Sequence, residues 1–202
     1  IEDYNQQHDR TLELVVFDDL ICYLCFISDS LVMDGGHLIL VGMKSSGRKS
    51  LIRLVAHAMH YVLIEPVVST PYEWQNQLQD IFKRCGVENI PCVLCLENAQ
   101  LFNSFIMNDI LEFVMTSNIY ELLSTSDVEQ IKHQLLLSEG LTDDQSWNIF
   151  MDRIRHNLKI ALIFDETNYR TLSQIVPQFR SYFHLLWLMP WTTQSLERIA
   201  IS

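Results

Sequence analysis

One stretch, Gly42-Met-Lys-Ser-Ser-Gly-Arg-Lys-Ser50, constrains this chain more than any other. It follows the apolar run His37 to Gly42, whose composition predicts a short buried strand. After it, Leu51, Leu54, Val55, Ala58 and Met59 recur at three- and four-residue steps, the spacing of a one-faced helix. Strand, glycine-framed turn and helix form the setting in which backbone N–H groups wrap a phosphate at a helix N-terminus. The full pattern is G-x-x-x-x-G-K-[ST], with the lysine meeting the outer phosphates and the hydroxyl holding magnesium. Here the glycine spacing is kept, Arg48 stands at the lysine position, Lys49 at the hydroxyl position, and Ser50 comes one residue late. Lys49 cannot simply replace Arg48, because adjacent helical residues point about 100° apart. Arg48 can bind phosphate through its fork, but a fork is not a lysine's point charge. The plainer alternative is a helix start after a turn, with no ligand. The strand–turn–helix context favours nucleotide binding.

The rest of the chain alternates in the same way. Thr11 to Met33 reads as a helix with one buried face, ended by Asp34-Gly35-Gly36. Tyr61 to Val68 is a second apolar run. A helix follows from Pro71 with Thr70 as its cap and Trp74, Leu78, Ile81 and Phe82 as its face, closed at Gly86. Cys92 to Leu96 is a strand ending at Glu97-Asn98, and Phe105 to Val114 a helix. Ser124 to Leu141 is polar and weakly helical, and Asp143 to Asn157 is an amphipathic helix. Leu158 to Phe164 is a strand ending on Asp165-Glu166-Thr167-Asn168, and Phe183 to Met189 a last strand. This alternation predicts an α/β fold: a mainly parallel sheet with helices on both faces.

Ligands of such sheets sit at the carboxyl ends of the strands. Three polar clusters fall there: Gly42 to Ser50, Glu97-Asn98, and Asp165 to Asn168. Glu97 could hold magnesium with a longer side chain than the usual aspartate, or simply end a strand in solvent. Asn98 cannot take a proton, so no general base is present there, and no catalytic residue is assigned. Asn168 or Asp165 could sense an outer phosphate; a plain loop is the alternative for each.

Composition excludes other classes. A formal net charge of −11 argues against nucleic acid as the main partner, because phosphate contacts need clustered Lys and Arg. The most apolar stretch, Leu12 to Met33, carries Glu13, Asp18, Asp19 and Asp29, which a bilayer would not accept cheaply. Ile1 to Arg10 has neither the basic nor the apolar region of a signal peptide, and a start at Ile1 rather than Met is expected of a piece of a longer chain. Cys22, Cys25, Cys85, Cys92 and Cys95 include two C-x-x-C spacings. A strand sends Cys92 and Cys95 to opposite faces, which defeats a zinc site, so buried reduced thiols of a cytosolic protein are expected. His8, His37, His57, His60, His133, His156 and His184 show no metal spacing. His57 and His60 share a predicted helix with no obvious carboxylate partner.

Several ordered segments carry a resemblance. Leu14-Val-Val-Phe-Asp-Asp19, Gly36-His-Leu-Ile-Leu-Val-Gly42 and Gly47-Arg-Lys-Ser-Leu51 resemble an AAA+ module of the dynein heavy chains. So do Phe105-Ile-Met-Asn-Asp-Ile-Leu111, Arg153-Ile-Arg-His-Asn-Leu-Lys-Ile-Ala-Leu-Ile163 and Leu186-Trp-Leu-Met-Pro-Trp191. Order and spacing match best the fourth of six ring modules, directly before the stalk, over nearly the whole chain. The resemblance implies a P-loop NTPase (AAA+) large subdomain, with residues 1–34 as a leading helical segment and 35–202 as the core. It implies ATP or ADP bound along Gly42, Ser45, Ser46, Gly47, Arg48, Lys49, Ser50 and Leu51, with Asn168 nearby and magnesium linked to Glu97. It further implies neighbouring modules of the same heavy chain, other dynein subunits and, through the stalk, the microtubule as partners. The location implied is the cytoplasm and cytoskeleton, with a cilium favoured: an Arg in place of the loop lysine is similar to the intraflagellar-transport dynein heavy chain, and a divergent axonemal heavy chain is the alternative. Arg48, Lys49 and Asn98 depart from the active pattern. Gln174 stands about where an arginine serving the neighbouring module is expected, with Arg170 and Arg180 close by. These departures point to a regulatory or structural module that hydrolyses weakly or not at all. An active ATPase with Glu97 or Glu166 as base is the alternative, and an independent P-loop switch or kinase a third.

Overall fold

The computed structural model describes residues 1–190 other than 10, 16, 17, 102, 117, 118, 120, 121 and 141. The expectations that touch Val16, Phe17, Leu141 and Trp191 lie outside the described residues.

Continuous apolar runs such as Leu38–Val41, Cys92 to Leu96 and Leu158–Phe164 leave a strand no solvent face. Such strands belong inside a parallel sheet, with the half-buried runs at its edges. That is their fate here. β1 (Leu38–Val41), β2 (Val62–Ile64), β3 (Cys92–Glu97), β4 (Leu158–Phe164) and β5 (His184–Trp187) form one sheet in the order β2-β3-β4-β1-β5. Every pairing is parallel, with Val41 opposite Phe164 and Glu97 opposite Ile163. The ends of β3, β4 and β1 are therefore neighbours, and the three polar clusters meet along one edge.

Alternate residues serve two cores, as the pleat requires. Leu38 and Leu40 face one core and Ile39 and Val41 the other. The first face is covered by α2 (Asp18–Val32) and α3 (Arg48–Ala58). The second carries α4 (Pro71–Phe82), α6 (Ser104–Thr116), α7 (Thr125–Glu139), α8 (Asp143–Asn157) and α9 (Glu166–Ile175). Two short helices, α1 (Glu2–Gln7) and α5 (Asn98–Leu101), complete the described α-helices, and a 3-10 helix, Pro177–Tyr182, leads into β5. Cys92 and Cys95 fall in different cores, as their spacing in a strand demands.

Local signals set many boundaries. Thr70 accepts a hydrogen bond from the Glu73 N–H while Glu73 reaches back to the Thr70 N–H, a full capping box before Pro71. Ser124 and Asp127 make the same box for α7, the polar segment for which periodicity was weakest.

Four expectations need correction. The helix predicted from Thr11 begins only at Asp18; residues 11–15 are irregular. Gly86 does not close α4: a π-helical turn, Lys83–Val87, continues it, and Gly86 is held within that turn by packing, since a Cβ there would strike the Phe150 ring. Cys22 and Cys25 are exposed, since the stripe Leu20, Ile27 and Leu31 turns them away from the core. Finally, His60 lies beyond the end of α3 with φ of 59°, and His57 does have a carboxylate partner, Asp3, at 2.8 Å.

Candidate functional site

The glycine-framed loop leaves β1 at Val41, and the Gly42 N–H reaches across to the Phe164 carbonyl at 3.2 Å. A Cβ at Gly42 would stand 3.0 Å from Ser46 Oγ and 3.2 Å from the Leu188 backbone oxygen, so any side chain there would have to push the loop or Leu188 aside by a few tenths of an ångström. Ser45 and Gly47 take φ of 65° and 81°, the left-handed conformation that turns successive N–H groups towards a common concavity. Gly47 is the N-cap of α3, and no side chain caps the helix, so its first N–H groups face the loop cavity. Ser46 Oγ is buried and, among the described residues, has no hydrogen-bond partner. An orphan hydroxyl beside free helix N–H groups fits an anionic ligand.

The cavity has a volume of about 310 Å³ and is lined by Ser45 to Ser50, Arg53, Glu97 and Ile163. Ser45, Ser46, Gly47, Arg48, Lys49 and Ser50 thus line it together with Glu97. Leu51 turns its side chain into the core beneath α2. Gly42 shapes the loop from below. Asn168 does not come to the loop: its N–H donates to Asp165 Oδ1 at 2.8 Å and its amide to Asp165 Oδ2 at 3.0 Å, which caps α9. Asp165 in turn accepts from the Asn98 amide at 3.0 Å, and its own N–H donates to Asn98 Oδ1 at 3.1 Å. Asn98 is a tie between the ends of β3 and β4.

Arg48 and Lys49 part company, as their 100° separation requires. Arg48 is buried and donates from Nη1 to the Phe164 carbonyl. Burial lowers its pKa, opposed by the charges of Asp165 and Glu97. Lys49 swings the other way, with Nζ on Glu97 Oε1 and 3.1 Å from Glu65 Oε1. Burial works against its charge, but hydrogen bonds from Nζ to Glu97 and Glu65 outweigh that and raise its pKa. Glu65, just past β2, is also forked by Arg53 at 2.8 and 2.9 Å. Spacing alone could not reveal this chain of pairs, because its members come from three separate segments: α3, the end of β2 and the end of β3.

These residues test the magnesium expectation directly. Magnesium wants oxygen donors in octahedral array, among them the loop hydroxyl and an acid at the strand end. The loop offers an ammonium where the hydroxyl belongs, and that ammonium already engages Glu97. An ammonium in place of the loop hydroxyl, seated on the strand-end acid, does not match the donor set of a divalent cation.

Comparison with known proteins agrees with this architecture. The profile of the family described as P-loop containing dynein motor region D4 matches residues 12–202. Dynein axonemal heavy chain 1 of Rattus norvegicus is 27% identical over 210 residues, 99% of this chain and 5% of the relative. Dynein axonemal heavy chain 9 of Homo sapiens is 28% identical over all of this chain, again 5% of its own length. Cytoplasmic dynein 2 heavy chain 1 of Homo sapiens is 26% identical over 95% of this chain and 5% of the relative. The chain therefore spans about 5% of the length of the curated relatives it matches. Among solved structures, the Saccharomyces cerevisiae Hsp104:casein complex superposes with a TM-score of 0.54 at 10% identity, over 99% of this chain and 31% of that one. That likeness shows the fold alone. With the motif, the sheet order and the family match in agreement, this chain belongs to the P-loop-containing D4 regions of the dynein motor.

Proposed function

We propose that this domain binds ATP or ADP at the loop Gly42–Ser50 and acts as a weakly or non-hydrolysing regulatory module of a dynein heavy chain. The observation that carries the reading is a contrast within one site. The phosphate-cradling frame of Gly42, Ser46 and Gly47 is intact and has unpartnered donors. The acids that would run hydrolysis are otherwise engaged: Glu97 pairs with Lys49, and Glu166 with Arg170 at 2.5 Å. Asn98 offers no base and ties β3 to β4.

In this reading residues 1–34 lead into the core 35–202, and the module passes conformational change between neighbouring modules and the stalk, through which the full chain meets the microtubule. Other dynein subunits are its further partners. A cytoskeletal location, in the cytoplasm and in cilia, accords with relatives named both axonemal and cytoplasmic.

Two measurements test the proposal. Thermal melting with saturating ADP should raise stability, since ligand at 100 times its dissociation constant adds about 2.7 kcal/mol; no shift with ADP or ATP would leave only a structural role. ATP turnover by the domain should be far below the roughly 1 per second of an ordinary slow enzyme, and reaching that rate would refute the regulatory reading.

A further inference from the structure

We infer that Lys49 is a built-in cation that stands in for magnesium, so that this loop holds nucleotide phosphates without a metal. The inference rests on nucleotide binding at the loop and adds how the phosphate charge is met. Lys49 is the second residue of α3, one step after Arg48, at the position from which a hydroxyl would hold the ion. Its Nζ reaches the same strand end that a metal-bound acid would occupy, and contacts Glu97 and Glu65. An ammonium has three N–H donors. Two point at these carboxylates, and the third is left for the cavity that Lys49 lines with the loop.

Charge bookkeeping argues the same way. Glu97, Lys49, Glu65 and Arg53 form a continuous chain of two acids and two bases, already neutral. A divalent ion entering here would have to expel the ammonium from Glu97 and then sit beside both displaced cations. It would also lack the loop hydroxyl, because Ser50 lies a further 100° around α3. Phosphates entering the cavity instead meet the Lys49 ammonium, the Arg48 guanidinium and the N-terminal N–H groups of α3, all supplied by the chain.

The decisive experiment is structural and local. The protein carrying this chain is crystallised with ADP and manganese, an anomalous reporter for magnesium, and again with ADP and a chelator. The expected result is ADP on Gly42–Gly47 in both crystals, Lys49 on Glu97, and no manganese peak at Glu97. In Lys49→Thr a manganese peak should appear at Glu97, and ADP should be lost when the chelator replaces the metal. Manganese on Glu97 in the unaltered protein overturns the inference while leaving nucleotide binding intact. Absence of ADP from the loop in both crystals overturns nucleotide binding and this inference with it. Lys49→Met, which keeps the length and removes the charge, covers the case in which the threonine variant fails to fold. Its ADP affinity with chelator present should fall roughly tenfold, as for loss of one charge-assisted hydrogen bond. An unchanged affinity would refute the role of Lys49.

Discussion

The two edges of one sheet satisfy charge in different ways. At the carboxyl edge two cations meet carboxylates, Lys49 with Glu97 and Glu65 and Arg53 with Glu65, and only the buried Arg48 turns to a backbone carbonyl, that of Phe164. At the amino edge charge meets backbone. Lys159, opening β4 and 1% exposed, donates to the Met33 carbonyl at 2.7 Å, and His37 Nδ1 accepts from the Ile160 N–H at 3.2 Å. Acceptance at Nδ1 requires the neutral ring. Burial, with Lys159 and His184 nearby, pushes the His37 pKa down to about 4. Burial also lowers the pKa of Lys159. The amino edge is the closed one in the sense that its buried groups are satisfied by carbonyls and a neutral ring, although a cavity of about 430 Å³ lined by Asp34, His37, Arg155 and His184 lies against it. The carboxyl edge has matched charges around a cavity with free donors, and can exchange partners with a ligand.

The sharpest break in this comparison comes from the closed edge. Gly36 sits where a Cβ would land on the Ser30 carbonyl oxygen and 2.7 Å from that of Met33, backbone atoms that cannot swing aside. Gly36→Ala should cost about 3 kcal/mol, the upper range for overpacking, read as a fall in the denaturant midpoint.

Nearly as large is the acid response of His37. A folded pKa of about 4 against an ordinary 6.5 means the unfolded chain takes up the proton first. Stability is unaffected above pH 6.5 and lost progressively as pH falls towards 4, in total roughly 3 kcal/mol. His37→Leu should flatten that limb of a stability–pH curve relative to the unaltered protein. An equal slope in both would show that His37 is not the group responsible.

At the open edge smaller effects are expected. Asn98→Asp sets a carboxylate where an amide now donates to Asp165, and should destabilise by roughly 2 kcal/mol at pH 7, the cost of an unmet polar pair. The penalty should shrink in acid as one carboxylate takes a proton. Glu97→Gln should change the melting free energy by less than about 1 kcal/mol, because the pair is half-exposed and Lys49 keeps Glu65. A large loss there would mean that the open edge is as structural as the closed one.

Much of the architecture was legible without coordinates, because it is written in local chemistry. Asp143–Asn157 and Leu158–Phe164 follow from apolar period and cap signals, and Thr70-Pro71 starts a helix wherever it occurs before an apolar face. The glycine-framed turn between strand and helix is equally local, as is the division of Cys92 and Cys95 between two faces. What failed locally was tertiary in origin: Gly86 continues into a π-turn under Phe150, and Cys22 and Cys25 are exposed by the stripe α2 buries.

The partners of the site residues belong to a different level. Lys49 meets Glu97 across 48 residues, Asn98 meets Asp165 across 67, and Arg48 meets Phe164 across 116. No periodicity encodes such meetings; they follow from the strand order β2-β3-β4-β1-β5, which sets the ends of β3, β4 and β1 side by side. By itself the sequence determined that this is an α/β domain with an altered phosphate loop, since backbone preference and burial period act within a few residues. Only the tertiary structure decided that the alteration is paired, with Lys49 seated on the strand-end acid, because a charge chooses its partner from whatever the fold brings within a few ångströms.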